Sequence, residues 1–364
     1  MKIKDVIEFL ESVAPLSYQE DYDNAGLITG DSDWDLQGTL LCLDLTEAVM
    51  DEAVTKGCNL IISHHPFIFQ GIKKLKPGRP ETKILTKSIT NRVVVYAIHT
   101  NLDNSLEGLN AFVMQALGIG KYHVLKPSIG KLFKLVTFCP VSHSGMVRDA
   151  LFQTGAGNIG NYDQCSFNVQ GTGTFHAYGK ANPFVGEKYR LHQETEIRIE
   201  VVFQDFMKNR VIAALLASHP YEEVAYDLYP LVNNHSKVGA GLLGELSHPV
   251  KETEFMDRIK NVLQIPYLRH SKLLDLMIRK VALCTGSGGF LIPEAFKSGA
   301  DIFLTSDLKY HDFFLPCDHF VIADIGHYES EKGVKEWLFA ALIEKFPTFA
   351  FLISEINTNP VYYY

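Results

Sequence analysis

Short apolar runs that alternate with helical segments constrain the fold more than any other feature of this sequence. In the first third, the runs "GTLLCLDL" (38–45), "CNLIISHHP" (58–66) and "RVVVYAIHTNLD" (92–103) are separated by "TEAVMDEAVTKG" (46–57) and "ETKILTKSITN" (81–91). The last third repeats this style in "KVALCTGSGGFLIPEAF" and "HFVIADIGHYESEKGVKEWL". Apolar strands separated by helices are typical of a mostly parallel or mixed sheet with helices on both faces. We therefore predict an α/β fold in which the two segments are halves of one architecture.

The middle of the chain follows a different pattern. From about residue 131 to 232 it runs strand, helix, two adjacent strands, a further strand "EIRIEVVFQD", helix and strand. This order predicts a ferredoxin-like α+β module inserted into the α/β domain. The 364 residues suffice for two domains, since single cores usually stop growing before about 250 to 300 residues. We place the insert at 127–236 and the discontinuous α/β domain at 1–126 and 237–364.

Composition excludes several classes of function. No segment offers the roughly 18 apolar residues that a membrane span needs, and Asp5, Glu8 and Glu11 interrupt the N-terminus where a signal peptide would be apolar. The net charge of −8 disfavours nucleic acid as a partner, because that affinity comes chiefly from Lys and Arg. The cysteines at 42, 58, 139, 165, 284 and 317 form no close pair, so we interpret them as reduced thiols of a cytoplasmic protein.

Histidines and acidic residues follow several of the predicted strands or begin a helix. They are His64, His65, His99, Asp103, His327 and Glu331. Ligands of open α/β sheets collect beyond the carboxyl ends of the strands, and residues four apart share one face of a helix. Leaving out His99, the set provides three imidazoles and two carboxylates, too many for one tetrahedral zinc with an open position. Two divalent metal ions that share a bridging carboxylate would use them all.

Each of these residues also has an interpretation without metal. The pair His64 and His65 could be the polar end of a strand. Asp103 could be a helix N-cap ahead of "NSLEGLNAFV", and His327 with Glu331 could be a contact on a helix surface. All of these residues lie at strand or helix ends on one expected face of one sheet, and this common position favours a metal site over the separate interpretations.

Two further motifs lie in the last third. "CTGSGGFLIPEA" (284–295) is a Gly-rich turn of the kind that can cradle phosphate with backbone N–H groups. It matches neither common phosphate motif, and tight turn geometry is the simpler explanation. In "TSDLKYHDFF" (305–314), the candidates to orient metal ligands or contact substrate are Asp307, Lys309, Tyr310 and His311.

The segment "HPYEE" (219–223) concentrates polar side chains at the end of a helix of the insert. Its residues of interest are His219, Tyr221, Glu222 and Glu223. We predict a functional surface that lines a substrate entrance and is not another metal centre. A capped helix end with solvated acids is the alternative.

The motifs together resemble one known family. In chain order they are "EDYDNAGL" (20–27), "SHHP", "HTNLD", "GAGNIGNYDQCSF", "HPYEE", "CTGSGG", "SDLKYHD" and "GHYESE". They resemble the NIF-three-like family, also called the GTP cyclohydrolase I type 2 family, over essentially the whole chain. The longer members, which this chain resembles, carry an inserted domain similar to the PII and CutA proteins.

The resemblance implies a two-metal site on the residues His64, His65, Asp103, His327 and Glu331. It further implies that His64 and His327 bind one ion and that His65 and Asp103 bind the other, with Glu331 bridging. Zn, Mn, Fe and Co all suit such ligands. Family members look like hexameric toroids with the metal sites facing the interior, so we expect a homohexamer built as a trimer of dimers.

The resemblance also implies an activity, namely hydrolytic opening of the guanine imidazole ring of GTP with release of formate. Two divalent ions can lower the pKa of a bridging water towards neutrality. His99 is a candidate proton shuttle, and a hydrogen bond that fixes the Asp103 loop is its alternative role. The rival function is a non-enzymatic metal-binding or regulatory toroid that senses a small ligand. A nucleotide or another small molecule is the expected partner, with no membrane.

Overall fold

The computed structural model describes residues 1–315 and 318–362, which divide into two compact units. The larger unit contains residues 1–127 and 236–364, and the smaller contains residues 128–235. The strands are β1 (Gly26–Thr29), β2 (Thr39–Cys42), β3 (Leu60–Ser63), β4 (Val94–Ala97), β5 (Lys121–Pro127), β6 (Leu132–Pro140), β7 (Phe167–His176), β8 (Leu191–Gln204), β9 (Tyr226–Leu231), β10 (Gly239–Lys251), β11 (Arg269–His270), β12 (Met277–Leu283), β13 (Ile302–Thr305), β14 (Val321–Asp324) and β15 (Phe351–Ile353). The helices are α1 (Ile3–Val13), α2 (Glu47–Thr55), α3 (Pro80–Asn91), α4 (Thr100–Asp103), α5 (Leu109–Ala116), α6 (Ser144–Gln153), α7 (Lys208–Ser218), α8 (Glu252–Leu263), α9 (Ile292–Lys297), α10 (His327–Glu331) and α11 (Val334–Lys345).

One sheet of the larger unit has the strand order β1-β4-β3-β2-β15. Strands β2, β3, β4 and β15 are parallel, and β1 is antiparallel to β4. Leu41 and Tyr96 face a core that includes α1 and α11, whereas Ile61 and Val95 face a core that includes α2 and α3. Because both faces are covered, these strands are continuous apolar runs in the sequence.

A second sheet of the larger unit has the order β11-β14-β13-β12-β10-β5. Strands β12, β13 and β14 are parallel, and β5, β10 and β11 pair antiparallel. Leu304 and Val321 pack with α5 and α8, while Phe303 and Ile322 pack with α9 on the other face. The predicted α/β class with mixed strands is confirmed. The two halves are separate sheets and not one, because strand partners depend on contacts between distant segments that local patterns do not encode.

The smaller unit has the order strand, helix, strand, strand, helix, strand, which is the element order of ferredoxin-like modules. Its antiparallel sheet has the order β7-β8-β6-β9. Helices α6 and α7 cover one face, where Leu135 and Ile199 pack against Val147 and Val211. One strand, β7, precedes "EIRIEVVFQD" instead of the expected two, because β8 already begins at Leu191 and pairs with β7 along its length.

The two ends of the smaller unit are adjacent. The backbone N–H of His235 donates a hydrogen bond to the carbonyl oxygen of Ser128 at 3.0 Å. Immediately outside it, Pro127 of β5 and Gly239 of β10 are partners in an antiparallel register. The smaller unit therefore occupies the position of a hairpin loop between β5 and β10.

Two predictions from composition, on membrane spans and on cysteines, can be compared with the described residues. No helix there has both the length and the apolar character that a bilayer crossing requires. The cysteines with free thiols are Cys42, Cys58, Cys139, Cys165 and Cys284. Cys317 lies outside the described residues.

Candidate metal centre

The turn that follows β3 brings two neighbouring histidines to one side. In a continued strand, His64 and His65 would point to opposite faces. Strand β3 instead ends at Ser63, and the backbone N–H groups of both histidines donate to the carbonyl oxygen of Leu43, at 3.1 and 3.0 Å. The two ring centroids are 5.1 Å apart. Both imidazoles can therefore act at a single site.

The other candidate ligands follow strands in the same way. Asp103 is the last residue of α4, which follows β4 of the first sheet. His327 and Glu331 begin and end α10, which follows β14 of the second sheet. His327 Nε2 lies 3.1 Å from Glu331 Oε2, so the i, i+4 pair shares one helical face as the sequence predicts.

Oxygen acceptors hold one nitrogen of each of the three imidazoles. His64 Nδ1 lies 2.7 Å from the carbonyl oxygen of Ile98. His65 Nδ1 lies 2.7 Å from Asp44 Oδ1, and His327 Nδ1 lies 2.7 Å from Asp307 Oδ2. Carbonyl and ionised carboxylate oxygens only accept hydrogen bonds, so each Nδ1 carries the proton. In the neutral ring, Nε2 then presents a lone pair to the site, which is the arrangement of a metal-binding histidine.

Two groups of potential ligand atoms share Glu331. One group is His65, His327 and Glu331, and the other is His64, Asp103 and Glu331, with all ligand atoms of a group within 4.8 Å of one another. His65 Nε2 lies 3.5 Å from His327 Nε2, and His64 Nε2 lies 3.6 Å from Asp103 Oδ1. These groups combine His65 with His327 and His64 with Asp103, whereas the resemblance implies His64 with His327 and His65 with Asp103. The two sheets bring His65 to His327 and leave His64 beside Asp103.

Three buried atoms of this cluster have no hydrogen-bond partner among the described residues. They are His64 Nε2, Asp103 Oδ1 and Glu331 Oε2. Such orphaned groups cost roughly 1–3 kcal/mol each, so native proteins seldom leave them unsatisfied. Ligand atoms about 3 to 3.5 Å apart are also what bonds of about 2.1 Å to a common ion produce. The donor set and its geometry fit divalent cations.

The imidazoles differ in charge. Burial lowers the pKa of His64 to about 3, because a charged ring would lose its hydration. Burial also opposes a charge on His65, but the neighbouring carboxylates of Asp44 and Glu331 raise its pKa to about 10. Burial likewise opposes a positive charge on His327, but Glu331 is the main group that raises the pKa of this ring to about 9. Binding of cations at this site would displace the protons of these two rings.

The two carboxylates are shifted in opposite directions. Burial opposes ionisation of Glu331, but the His327 and His65 rings hold its pKa well below the usual range. Burial, and then the charge of Glu331, raise the pKa of Asp103. Glu331 therefore carries a negative charge more readily than Asp103 does. Strongly perturbed groups that meet in a cavity are typical of functional sites.

Backbone conformation makes room for the shared carboxylate. Gly286 has a φ of +63°, and a Cβ on it would lie 2.1 Å from Glu331 Oε1. The backbone N–H of Gly286 donates to Ser330 Oγ, and its carbonyl oxygen accepts from Ser306 Oγ. The Gly-rich turn is thus built around Glu331, as the tight-turn interpretation expects. Asp307, the partner of His327, has a φ of +57°, a strained conformation for a residue with a side chain.

A fourth histidine lies beside the cluster. A ring nitrogen of His99 is within 4.8 Å of ring nitrogens of His64 and His65. His99 Nδ1 lies 2.8 Å from Asp23 Oδ1, and Asp23 Oδ2 also accepts from the backbone N–H of Thr100 at 3.0 Å. Burial opposes ionisation of Asp23, but its hydrogen bond with His99 is the first of several that lower its pKa to about 2. Asp23 thus fixes the His99 ring in the same way that Asp44 fixes His65.

The cluster opens into a cavity of about 940 Å³ within the larger unit. Its wall includes aromatic side chains, among them Tyr22, Phe67, Phe69, Tyr267, Phe290 and Tyr328. Arg269 also lines it and forms an ion pair with Asp324. A cavity of this size, with apolar walls and a few convergent polar groups, is typical of a small-molecule site.

A family profile, curated relatives and a solved structure point to one family. Residues 1–360 match the profile of Duf34/NIF3 (NGG1p interacting factor 3). The chain belongs to this family. It is 38% identical over 363 residues to a "GTP cyclohydrolase 1 type 2 homolog" of Halalkalibacterium halodurans, covering 98% of this chain and 97% of that protein. A Bacillus subtilis protein of the same name is 35% identical over 367 residues, with 98% and 97% covered. The crystal structure of a Bacillus cereus protein related to NIF3 covers 100% of this chain and 99% of its own, with a TM-score of 0.83 and 35% identity.

The resemblance to the NIF-three-like family drawn from the sequence motifs is confirmed, and the structure shows what several motifs do. The sequence patterns did not assign a role to Asp44 or Asp23, the two carboxylates that hydrogen-bond to His65 and His99. Asp44 follows β2 at the sheet end where His64 follows β3, so its position after an apolar run was an available signal. Asp23, in "EDYDNAGL", lies in no strand or helix, and only the folded structure brings it to His99.

Not every candidate of the Duf34/NIF3 motif "SDLKYHD" reaches the cavity. Asp307 lines it and holds His327. Tyr310 and His311 lie in a short 3-10 turn, Tyr310–Phe314, and do not line it. Tyr310 is 72% exposed and contacts the rings of His311 and Phe314. Lys309 caps the turn by donating its backbone N–H to Asp312.

The residues of "HPYEE" lie in the smaller unit. Among the described residues, no potential metal group includes His219, Glu222 or Glu223. His219 Nε2 lies 2.9 Å from the carbonyl oxygen of Phe138. Tyr221, Glu222 and Glu223 line a cavity within the smaller unit itself.

Proposed function

We propose that this chain binds two divalent cations and hydrolyses a nucleotide with them, the specific reaction being the opening of the guanine imidazole ring of GTP with release of formate. The observation that supports the proposal most directly is that two ligand groups share the single carboxylate of Glu331. One group adds His64 and Asp103 to it, and the other adds His65 and His327. The relatives that carry the name "GTP cyclohydrolase 1 type 2 homolog" support the choice of reaction.

The proposed ligands are neutral imidazoles and carboxylates, which suit Zn, Mn, Fe or Co. When bound, such ions would supply a water of lowered pKa and stabilise negative charge that develops on the substrate. The chain itself orients the ligands. Asp44 is held in turn by Thr358, whose hydroxyl donates to Asp44 Oδ2 at 2.7 Å, so the ring plane of His65 is fixed before any ion arrives.

His99 would move the proton in this reaction. Its Nδ1 is bonded to Asp23, so Nε2 is the atom available to accept a proton from the water that attacks C8 of guanine. The same Nε2 would then deliver that proton to the ring nitrogen that leaves C8, which opens the ring and leaves a formyl group on the other nitrogen. A second water, deprotonated in the same way, would attack this formyl carbon, and the second nitrogen would leave with the proton as formate is released. The aromatic rings of Phe69 and Tyr267 offer stacking surfaces for the base in the cavity.

The test is turnover by purified protein reconstituted with each of the four metals. Formate release is measured with GTP, with other nucleotides and with phosphoesters. We expect GTP to release formate, and His99→Gln to lower kcat about 10²- to 10⁴-fold while both ions remain bound. His123→Gln, at an exposed position of strand β5, is the control and should leave kcat unchanged. Metal binding without formate from any nucleotide would instead support the non-enzymatic, regulatory function.

We further propose that the protein is a cytoplasmic homohexamer, built as a trimer of dimers. The family resemblance supports the assembly, and the free thiols of the described cysteines agree with a reducing compartment. Sedimentation equilibrium of the purified protein should give six times the chain mass of 40.9 kDa. A monomer or dimer at micromolar concentration would contradict the assembly.

A further inference from the structure

The smaller unit contains a cavity that plays no part in the proposed reaction. Its volume is about 610 Å³, within the range of roughly 300–1,000 Å³ usual for small-molecule sites. It lies on the face of the sheet opposite α6 and α7, because Ile197 and Ile199 of β8 pack into the helix-covered core whereas Glu196 and Arg198 line the cavity. The aromatic side chains in its wall are Phe138, Phe175, Phe184 and Tyr221.

A buried carboxylate lies in this apolar wall. Glu196 is only 9% exposed, and its Oε1 accepts a hydrogen bond from the Tyr221 hydroxyl at 2.8 Å. Its Oε2 lies over Gly173, where a Cβ would be 2.1 Å away, so the strand beneath is shaped around the carboxylate. No Lys or Arg forms an ion pair with Glu196 among the described residues. The arginine of the cavity wall, Arg198, pairs with Glu200 instead, at 2.9 Å. A buried carboxylate without a cationic partner is costly unless a ligand supplies the charge.

The "HPYEE" segment holds the groups around this carboxylate in place. His219 Nδ1 accepts from the backbone N–H of Tyr221 at 3.1 Å, which leaves Nε2–H to donate to Phe138. This brace orients Tyr221 towards Glu196. Glu222 accepts from the backbone N–H of Asn182 at 2.6 Å and so holds the segment that closes the cavity. The motif therefore builds a site and does more than end a helix.

The charge of the cavity selects the ligand. Glu196, Glu222 and Glu223 line it, and its cation, Arg198, is already paired. Among the described residues, the groups that could hold a metal ion all lie in the larger unit, so the surplus negative charge does not indicate a metal. Aromatic faces attract organic cations, and charge-assisted hydrogen bonds to a carboxylate are stronger than neutral ones. The structure assigns to this cavity a binding site for a small organic cation with a flat apolar body, such as an aryl amidinium or a protonated aminated heterocycle, whose charged end meets Glu196.

The test is calorimetric titration of the full chain with benzamidine, and with its isosteres benzamide and benzoate. Benzamidine should bind with a Kd in the millimolar range or below. Benzamide, which keeps the shape and loses the charge, should bind at least about tenfold more weakly, and benzoate should not bind. Equal affinity for benzamidine and benzamide, or no saturable binding of benzamidine, would overturn the proposal.

Variants locate the bound probe. Glu196→Gln should weaken benzamidine binding at least about tenfold, since the amide keeps the shape of the side chain but removes the negative charge that strengthens the hydrogen bond. Tyr221→Phe should weaken it severalfold and covers the case in which Glu196→Gln does not fold. Glu187→Gln, which changes an exposed carboxylate of the same unit, is the matched control and should change nothing. Unchanged binding in folded Glu196→Gln and Tyr221→Phe, or binding that appears only after the assembly is diluted into single chains, would show that the cavity serves the contact between copies instead.

Discussion

Glu331 is the residue on which both proposed metal positions depend. Its Oε2 lies 3.0 Å from His65 Nε2 and 3.1 Å from His327 Nε2, and this oxygen has no hydrogen-bond partner in the part of the chain that the structure describes. With the proton of each ring on Nδ1, the Nε2 lone pairs of the imidazoles face the Glu331 carboxylate. Only bound cations or added protons can relieve the repulsion between these electron-rich atoms.

We expect about two divalent ions per reconstituted chain and a loss of both in Glu331→Gln, because an amide oxygen cannot bridge two cations as a carboxylate does. Elemental analysis after desalting measures the occupancy. Glu336→Gln, an exposed residue of α11, is the control. One ion in the native chain would contradict the dinuclear site, and loss of a single ion in Glu331→Gln would show that this carboxylate is not the bridge.

Gly286 leaves room for the same carboxylate because it has no side chain. Gly286→Ala should abolish metal binding, because the new Cβ would overlap Glu331 Oε1, which lies 2.1 Å from its ideal position. Gly57 is a matched control, since its φ is +70° and a Cβ there would meet nothing within 4 Å. Gly57→Ala should therefore cost only the backbone strain of about 1 kcal/mol and leave the ions in place. Retention of both ions by Gly286→Ala, measured by the same elemental analysis, would disprove this account of the turn.

At the scale of elements, the first turn of α5 connects two loops of the site. Asn110 is buried there, and its Nδ2 donates to the carbonyl oxygen of Asp103 at 2.9 Å. Its Oδ1 accepts from the backbone N–H of Thr285, the residue before Gly286, at 2.8 Å. One amide thus ties the loop of a proposed ligand to the turn that accommodates Glu331.

Asn110→Ala should lower the free energy of unfolding by about 2–4 kcal/mol, because it leaves two buried backbone groups unsatisfied. Metal affinity should fall as both loops loosen. Asn59 makes a similar pair of bonds, to Asp35 and Gln37, in an exposed loop. Asn59→Ala should lower the free energy of unfolding by about 0.5–1 kcal/mol and leave metal affinity unchanged. Urea denaturation, with and without a chelator, measures both effects, and equal losses in the two variants would refute the connecting role of Asn110.

The sequence predicted the elements of the site better than their assembly. The apolar run of β3 predicted that His64 and His65 lie at a strand end, and spacing predicted His327 and Glu331 on one helical face. Local patterns could not show that β3 and α10 belong to different sheets, and this long-range pairing decides that His65, and not His64, meets His327. For the same reason, the role of Asp23 appears only in the folded structure.

At the scale of the whole molecule, the smaller unit interrupts a pair of adjacent strands. Replacing residues 128–235 with a short Gly-Ser linker should join β5 to β10 as an ordinary hairpin, because Pro127 and Gly239 are already partners. We expect a soluble larger unit that still binds two ions, since the proposed ligands all lie within it. The full chain carrying the same linker before Ser236 is the control. Aggregation, or ion loss in the shortened chain alone, would contradict a separable module.

The hydrogen bond between His235 and Ser128 has a consequence for the order of folding. Pairing of β5 with β10 in an otherwise unfolded chain must close a loop of about a hundred residues. If the smaller unit has already folded, its adjacent ends shorten that loop to a few residues and reduce the entropic cost of closure by about 3 kcal/mol. We therefore expect the smaller unit to fold first and the edge of the second sheet to form late. The interrupting segment would then guide the folding of the sheet that it interrupts.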